Sequence, residues 1–155
     1  MTDQTELGAL ARAIIDSNRY MVLATADESG LPWASPVWYA PAEYREFFWV
    51  SSPEARHSQN LASRSELAIV IFDSTVAIGS GQAVYMSAVA EQPTGDDLDR
   101  GIEIFSRRSE AQGARAWTRE DVLPTAPISL YRATVSEHSM LDPAASPDRR
   151  TPVTL

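Results

Sequence analysis

Residues 21–61 constrain the fold of this chain more than any other stretch of its sequence. Two alternating apolar segments, 20–26 and 33–40, lie on either side of a turn that contains Gly30. Such alternation is typical of β-strands with one buried face, and glycine at that spacing favours a hairpin turn. A third, strongly aromatic segment, 46–51, is followed at once by SSPEARH, which has the pattern of a helix start. The sequence therefore predicts a hairpin, a third strand and a short helix in direct succession.

The rest of the chain continues this pattern of short strands and peripheral helices. Further strands are predicted at 67–72, 82–90 and 128–136, and helices at 3–18, 53–63 and 94–112. The run LAIVIF is almost unbroken in its apolar character, which favours a strand buried on both faces. Six strands in hairpin order predict a mainly β fold, a six-stranded antiparallel barrel with helices outside it. A barrel of this size fills its interior with side chains, so a ligand must bind outside it, in a groove or between subunits.

Length and composition indicate one domain and exclude several kinds of site. The chain has 155 residues, and we expect a single domain over 1–141 followed by a loose tail over 142–155, which is rich in Pro, Asp, Ser and Arg. It has no cysteine and two histidines, His57 and His138. Thiolate catalysis, Cys-ligated zinc and iron–sulfur clusters are therefore excluded, as is a His-rich metal site, and we expect no metal.

Charge and hydropathy narrow the possible partners. The formal net charge is −8, which disfavours a general nucleic-acid-binding role because phosphates require a basic surface. No apolar run reaches the roughly 18 residues of a spanning helix, and the first ten residues are polar and acidic. The sequence thus predicts no membrane association and a cytoplasmic location.

The predicted helix start is the strongest candidate for a binding site. Ser52 is placed to cap the helix and Pro53 to occupy its first position, while Arg56 and His57 add cations to its first turns. Free amides at a helix N-terminus attract anions, and cationic side chains strengthen the attraction. Together with the sheet surface before it, this corner could hold a phosphate and a flat ring, as in a flavin. The alternative is an ordinary capped helix on the surface.

Two further residues are candidates for contact with such a ring. Trp38 lies in the second strand, where alternation gives half of the aromatic side chains to the barrel and half to an outer groove. Gln82 begins the fifth strand after a Gly-Ser loop and could bond a ring carbonyl or nitrogen. The alternatives are packing in the core or a dimer interface for the tryptophan, and an exposed loop for the glutamine.

In their order and spacing, these segments resemble the FMN-binding split barrel of the pyridoxamine 5′-phosphate oxidase-like superfamily. The likeness covers roughly residues 7–140 and is carried by VLATADESGLPWASPVWY, FFWVSSPEARHSQNL, LAIVIFD, GQAVYMSAVAE and ISLYRATVSEH. It implies a Greek-key split barrel and a homodimer with cofactor sites at its interface. The cofactor-binding residues that it implies are Ser35, Pro36, Val37, Trp38, Val50, Ser51, Ser52, Arg56, His57, Asn60 and Gln82.

The resemblance also assigns roles within this set. The segment 35–38 matches the strand behind the flavin ring, and the end of the third strand meets the ring and the ribityl chain. Arg56 and His57 match a pair, usually Arg-Lys, that binds the phosphate, and Asn60 lies one turn further on. Gln82 matches a glutamine that reaches the ring across the dimer.

Two departures from the family pattern shape the expected function. His57 replaces the lysine of the basic pair, and PAASPDRRTPVTL has no counterpart of the arginine- and histidine-bearing segment that binds pyridoxamine phosphate. The resemblance therefore implies an FMN-dependent oxidoreductase for an unknown small organic substrate, without oxidase activity toward pyridoxamine phosphate. The alternatives are an F420-dependent reductase of the same fold and a non-catalytic flavin-binding or dimerisation module. No catalytic residue is assigned, since no pair of nucleophile and base is evident.

Overall fold

Within the described residues, one antiparallel sheet forms the framework of the protein and three α-helices pack around it. The computed structural model describes residues 3–145, 147 and 149–155. The strands are β1 (Tyr20–Ala26), β2 (Pro32–Trp38), β3 (Ala40–Ala42), β4 (Glu46–Ser51), β5 (Glu66–Phe72), β6 (Ala83–Glu91), β7 (Ser129–Leu141) and β8 (Arg150–Val153). The helices are α1 (Gln4–Ser17), α2 (Arg56–Ser63) and α3 (Gly95–Ala111), and a 3₁₀ turn covers Arg119–Val122.

The sheet curls around its longest strand, β7. The strand order is β2-β1-β5-β6-β7-β4-β3, and β8 also pairs with β7. One edge of β7 pairs with β6, while β4 and β8 pair with successive parts of the other edge. A register shift between Ser87 and Ala88 marks a bulge, which increases local twist. Strands β2 and β4 contact each other across the curl. The fold is a mainly β split barrel, and the predicted fold class is confirmed.

The inner face of the sheet forms the main core, and its alternation explains why these segments are strands. Met21 and Leu23 of β1 and Ile69 and Ile71 of β5 are fully buried. On β5 the intervening Ala68 is exposed, so this strand is not buried on both faces as expected. Its outer face is exposed because no element of the described chain packs over it.

Helix α3 packs on the outside of β4 and β7, and a glycine allows the close approach. A Cβ added to Gly101 would lie 2.8 Å from Cε1 of Phe48 and 3.0 Å from Cδ2 of Leu130. Phe48 and Leu130 belong to a second buried cluster with Phe105 of α3. The helix can therefore carry only a glycine at this position without displacing its neighbours.

We expect Gly101→Ala to lower the free energy of unfolding by about 1–2 kcal/mol, because overpacking exceeds the roughly 1 kcal/mol that alanine gains in helix propensity. Urea denaturation followed by circular dichroism measures the change. The control is Glu103→Ala on the exposed side of the same helix, which loses only an exposed ion pair with Arg107 and costs about 0.5 kcal/mol or less. Equal stability of the glycine variant and the unmodified protein would contradict the close packing.

Three differences from the sequence-based expectations concern the strands β3 and β8, the tail and the start of α2; in addition, β7 ends at Leu141 and not at residue 136 as predicted. Short strands β3 and β8 bring the described strands to eight rather than six. The tail predicted to be loose over 142–155 contains β8, whose residue Val153 is buried against the core. An apolar residue that completes a core can order a polar segment, which composition alone does not reveal. The third difference, the start of α2, belongs to the site described below.

No helix in the described part of the chain has both the length and the apolar character needed to cross a membrane.

Candidate functional site

A cavity of about 590 Å³ opens on the outer side of β2, between this strand, the end of β4 and the C-terminal part of α3. We call it the β2–α3 pocket. It brings together six of the predicted binding residues, namely Pro36, Val37, Trp38, Val50, Ser51 and His57. It is completed by the first residue of β1 and the residue before it, and by residues of α3 and the segment after it, namely Arg19, Tyr20, Phe105, Ser109, Gln112, Ala114, Arg115 and Trp117.

Helix α2 begins three residues later than the sequence predicts. Its first residue is Arg56, and its N-cap is Ala55, which has no side chain able to cap. Ser52 does not cap the helix because its hydroxyl accepts a hydrogen bond from the Glu54 amide (3.1 Å) in the turn that precedes α2. Pro53 lies in that turn and is not the first helical residue. The predicted N-cap and first position are therefore both wrong.

The start of α2 consequently lacks a capping side chain. The first helical bond runs from the Gln59 amide to the Ala55 carbonyl (3.0 Å), so the amides of Arg56, His57 and Ser58 precede it. Ser58 is 3% exposed, and its hydroxyl has no hydrogen-bond partner within the described chain. The amides of this first turn are the groups that an anion at this helix end would satisfy.

His57 connects α2 to the end of β4. Its Nε2 lies 2.8 Å from the hydroxyl oxygen of Ser51, and both residues line the β2–α3 pocket. Partial burial lowers the pKa of His57 below its ordinary value of 6.5. The imidazole is therefore neutral at pH 7 in the free protein.

Arg56 faces a different neighbour. Its guanidinium carbon lies 5.0 Å from the centre of the exposed Trp33 ring, in cation–π contact. The side chain does not line the β2–α3 pocket, although it leaves α2 at the position before His57. Ser35 and Ser52 are likewise outside the pocket lining.

Asn60 is buried and forms a hydrogen bond within the protein. It is 3% exposed, and its amide nitrogen donates to the hydroxyl of Thr25 on β1 (3.1 Å). The Thr25 hydroxyl in turn lies 3.4 Å from the Trp33 carbonyl. This chain of bonds holds α2 against the β1–β2 hairpin, and the predicted contact of Asn60 with a cofactor stays a prediction.

Gln82 lies away from the pocket, just before β6 and beside the end of β5. Its side-chain oxygen is buried and has no hydrogen-bond partner within the described residues. Its contact with a cofactor across a dimer stays a prediction.

The sequence did not predict the residues of α3 and of the following segment that line the pocket. Trp38 donates from its indole nitrogen to Oε1 of Gln112 (2.6 Å) and packs edge-on against Phe105, with ring centres 4.7 Å apart. Phe105 makes a similar contact with Trp117 at 5.2 Å. No local signal marks these residues, because the helix and the segment after it reach β2 only through the curl of the sheet.

Comparison with known proteins decides the family. A family model described as pyridoxamine 5′-phosphate oxidase matches residues 7–138. The chain belongs to this family. No curated protein sequence is significantly similar to it.

Solved structures agree with the split-barrel fold. A haem-binding protein from Mycobacterium smegmatis superposes with a TM-score of 0.73 at 23% identity, covering 98% of this chain and 59% of that one. HutZ, the haem storage protein from Vibrio cholerae, superposes with a TM-score of 0.67 at 20% identity, covering 84% of this chain and 90% of that one. An FAD-binding protein from Mesorhizobium loti gives a TM-score of 0.61 at 16% identity, covering 85% and 91%.

These likenesses place flavin-binding and haem-binding proteins on the same framework, so the fold by itself leaves the ligand open. This chain spans 59% of the length of the mycobacterial protein. Its own pocket must therefore supply the argument for a ligand.

Proposed function

We propose that this member of the pyridoxamine 5′-phosphate oxidase family binds FMN and acts as an oxidoreductase on a small organic substrate. The observation that carries the proposal is the uncapped start of α2, with Arg56 and His57 in its first turn, opening directly beside the β2–α3 pocket. A helix end of this kind suits a phosphate, and the adjoining strand face suits a flat ring.

The residues present are compatible with FMN. The amides at the start of α2, Arg56 and His57 would hold the phosphate, and the outer face of 35–38 would support the ring. The lack of a capping side chain at Ala55, the N-cap of α2, is one observation of this chain that fits an anion nearby. FMN would supply the transfer of hydride or electrons, which the protein's own side chains cannot perform.

The protein's part is to bind, orient and exclude water. Trp38 is held by its bonds to α3, so the strand face beside it is rigid. Aromatic side chains of α3 and the following segment close the pocket on one side and would reduce access of water to a bound ring. Ser51 and His57 provide a hydroxyl and an imidazole to polar groups of the ligand.

We also propose that the functional unit is a homodimer with the cofactor at the interface. Members of the family are commonly dimeric. The exposed outer face of β5 is the feature that a second subunit would cover. The alternative with F420 in the same groove needs further cations, for which Arg19 and Arg64 are candidates.

Haem is the second candidate ligand. It is favoured by the likeness to the haem-binding proteins from Mycobacterium smegmatis and Vibrio cholerae and by a histidine, His57, in the pocket lining. Nε2 of His57 already contacts Ser51, so ligation of iron through this nitrogen would break that contact.

Absorbance of the purified protein and a thermal-shift series with FMN, FAD, F420 and haem test these functions. We expect a flavin spectrum and stabilisation by FMN, since a ligand that binds only the folded state raises the unfolding temperature. A Soret band with stabilisation by haem would replace the proposal with haem binding. A colourless protein that none of the four ligands stabilises would support the non-catalytic module.

The titration of His57 gives a prediction about pH. Burial keeps its pKa below 6.5 in the free protein, whereas an adjacent phosphate favours the protonated ring, so binding should take up a proton. FMN affinity should therefore rise by about three- to tenfold between pH 8 and pH 6. Fluorescence titration of FMN across this range measures the effect.

The matched variant is His57→Asn, which keeps a polar side chain but cannot titrate. Its FMN affinity should be flat or fall slightly toward pH 6, because only the phosphate of FMN then gains a proton. The same pH dependence in both proteins would remove His57 from the phosphate site.

In the protein without ligand, the stability of the fold depends on pH in the opposite direction to FMN affinity. The pKa of His57 in the folded state lies below the unfolded value, so the contribution of neutral His57 to stability is present above pH 6.5 and is lost as the pH falls.

A further inference from the structure

The β2–α3 pocket contains a second group of cationic side chains, separate from α2. Arg19 is the residue before β1, and its carbonyl accepts a hydrogen bond from the Tyr39 amide (3.3 Å). Arg115 comes from the segment after α3. Both line the pocket, and neither belongs to the proposed phosphate site.

The donors of these two arginines are largely free. The guanidinium of Arg19 is exposed and has no hydrogen bond or ion pair within the described part of the chain. Arg115 lies over the ring of Trp117 at 3.6 Å, and its bonds to Asp121 (3.2 Å) and to the Ala116 carbonyl (3.1 Å) both use Nη1. A guanidinium has five N–H donors, so Nη2 and Nε of Arg115 remain for a ligand.

Gln112 adds a further donor. An indole N–H can only donate, so the amide oxygen of Gln112 must face Trp38 at the observed 2.6 Å. The amide NH₂ group of Gln112 has no partner among the described residues. The α3 side of the pocket therefore offers N–H donors close to an aromatic wall.

The charge of the lining contrasts with that of the whole chain. The chain carries a formal net charge of −8, yet the described residues that line this pocket include two arginines and a histidine and no carboxylate. Asp121 neutralises only part of Arg115, whose side chain is 56% exposed. An unbalanced cationic lining in an acidic protein favours an acidic ligand.

We propose that the substrate of this pocket is a carboxylic acid with a flat apolar body. Its carboxylate, which accepts up to four hydrogen bonds and donates none, is bound by Arg19, Arg115 and Gln112. Its flat body lies against Trp117, whereas the face of 35–38 is left to the flavin ring. This inference rests on the proposed function in so far as the acid is taken to lie beside bound FMN.

Calorimetric titration of the FMN-saturated protein with 2-naphthoate and with the neutral 2-naphthamide tests the proposal. The two probes share one shape and differ in charge. We expect the acid to bind about tenfold or more tightly than the amide. Arg19→Gln should lower the affinity for 2-naphthoate by about tenfold, because a charge-assisted bond is lost. The affinity for 2-naphthamide should change by about twofold at most. In Arg19→Gln/Arg115→Gln the preference for the acid should disappear.

Arg107→Gln is the control, since this arginine of α3 pairs with Glu103 on the surface and does not line the pocket. It should keep the full preference for the acid. Arg19 has no side-chain partner to lose, so Arg19→Gln decides alone if the double variant does not fold. Equal binding of the two probes to the unmodified protein, an undiminished preference for the acid in Arg19→Gln, or competition between the acid and FMN would each overturn the proposal.

Repeating the titrations without FMN separates the two hypotheses. An acid preference that depends on Arg19 in a protein that does not bind FMN supports the carboxylate site and removes the flavin function. Tight FMN binding without an acid preference supports the flavin function and removes the carboxylate site.

Discussion

Replacing Arg56 by alanine should weaken FMN binding by about 10- to 150-fold, which corresponds to the roughly 1.5–3 kcal/mol of a charge-assisted hydrogen bond. Arg56 is the first residue of α2, and its guanidinium is held over Trp33 at 5.0 Å rather than by a carboxylate. Its hydrogen-bond donors are therefore free to bind a phosphate. Fluorescence titration of FMN measures the loss.

Two controls make the result specific to the phosphate. Arg64→Ala removes the same charge at the other end of α2, where Arg64 donates to the Glu28 carbonyl (3.3 Å), and should change FMN affinity by about twofold at most. Riboflavin lacks the phosphate, so its affinity should be the same in Arg56→Ala and in the unmodified protein. Equal losses for FMN and riboflavin would place Arg56 at the ring or in the structure rather than at the phosphate.

Replacing Arg108 by methionine should lower the free energy of unfolding by about 2–3 kcal/mol. Arg108 extends from α3 to the end of α1, where Nη2 donates to the carbonyls of Ile15 (3.4 Å), Asp16 (3.4 Å) and Asn18 (3.0 Å). These carbonyls have no further turn of helix to satisfy them. Methionine keeps most of the side-chain packing and removes the donors, so the change reports the hydrogen bonds and the charge.

The adjacent residue supplies the control. Arg107 is 76% exposed, and its one ion pair among the described residues is with Glu103, one turn earlier. Arg107→Met should therefore cost about 0.5 kcal/mol or less. Guanidinium denaturation of both variants compares them directly, and similar stabilities would mean that Arg108 does not hold α1 against α3.

The strands were predictable because their alternation is a local property with one physical cause. Residues such as Leu23 and Ile69 alternate with exposed or half-buried neighbours, and this period is visible in the sequence. What the alternation could not show is which faces stay uncovered. The outer face of β5 is largely apolar in sequence but exposed in the single chain, because no element of the described chain packs over it.

The start of α2 shows how two local rules can compete. Ser52 and Pro53 match the pattern of a helix cap and first position. The Ser52 hydroxyl instead bonds the amide of Glu54, which makes a separate turn and delays the helix to Arg56. The delay has a consequence for the site, since it leaves the helix start uncapped and places both cations in its first turn.

The α3 wall of the pocket could not have been predicted from one sequence without a structure. Trp38 and Gln112 are 74 positions apart in the chain and meet through a single hydrogen bond. Nothing in the composition around Gln112 or Arg115 distinguishes them from an ordinary helix end. The predicted half of the site lies on segments that follow one another directly, whereas the other half depends on the topology of the whole sheet.

The position of β7 has a consequence for how the protein comes apart. Because β6 is bonded to one edge of this strand and β4 and β8 to the other, neither side of the barrel has a boundary along which it can melt alone. Heating should unfold the molecule in one cooperative step. A ligand held between β2 and α3 should then raise the temperature of this single step, because it binds only the folded chain.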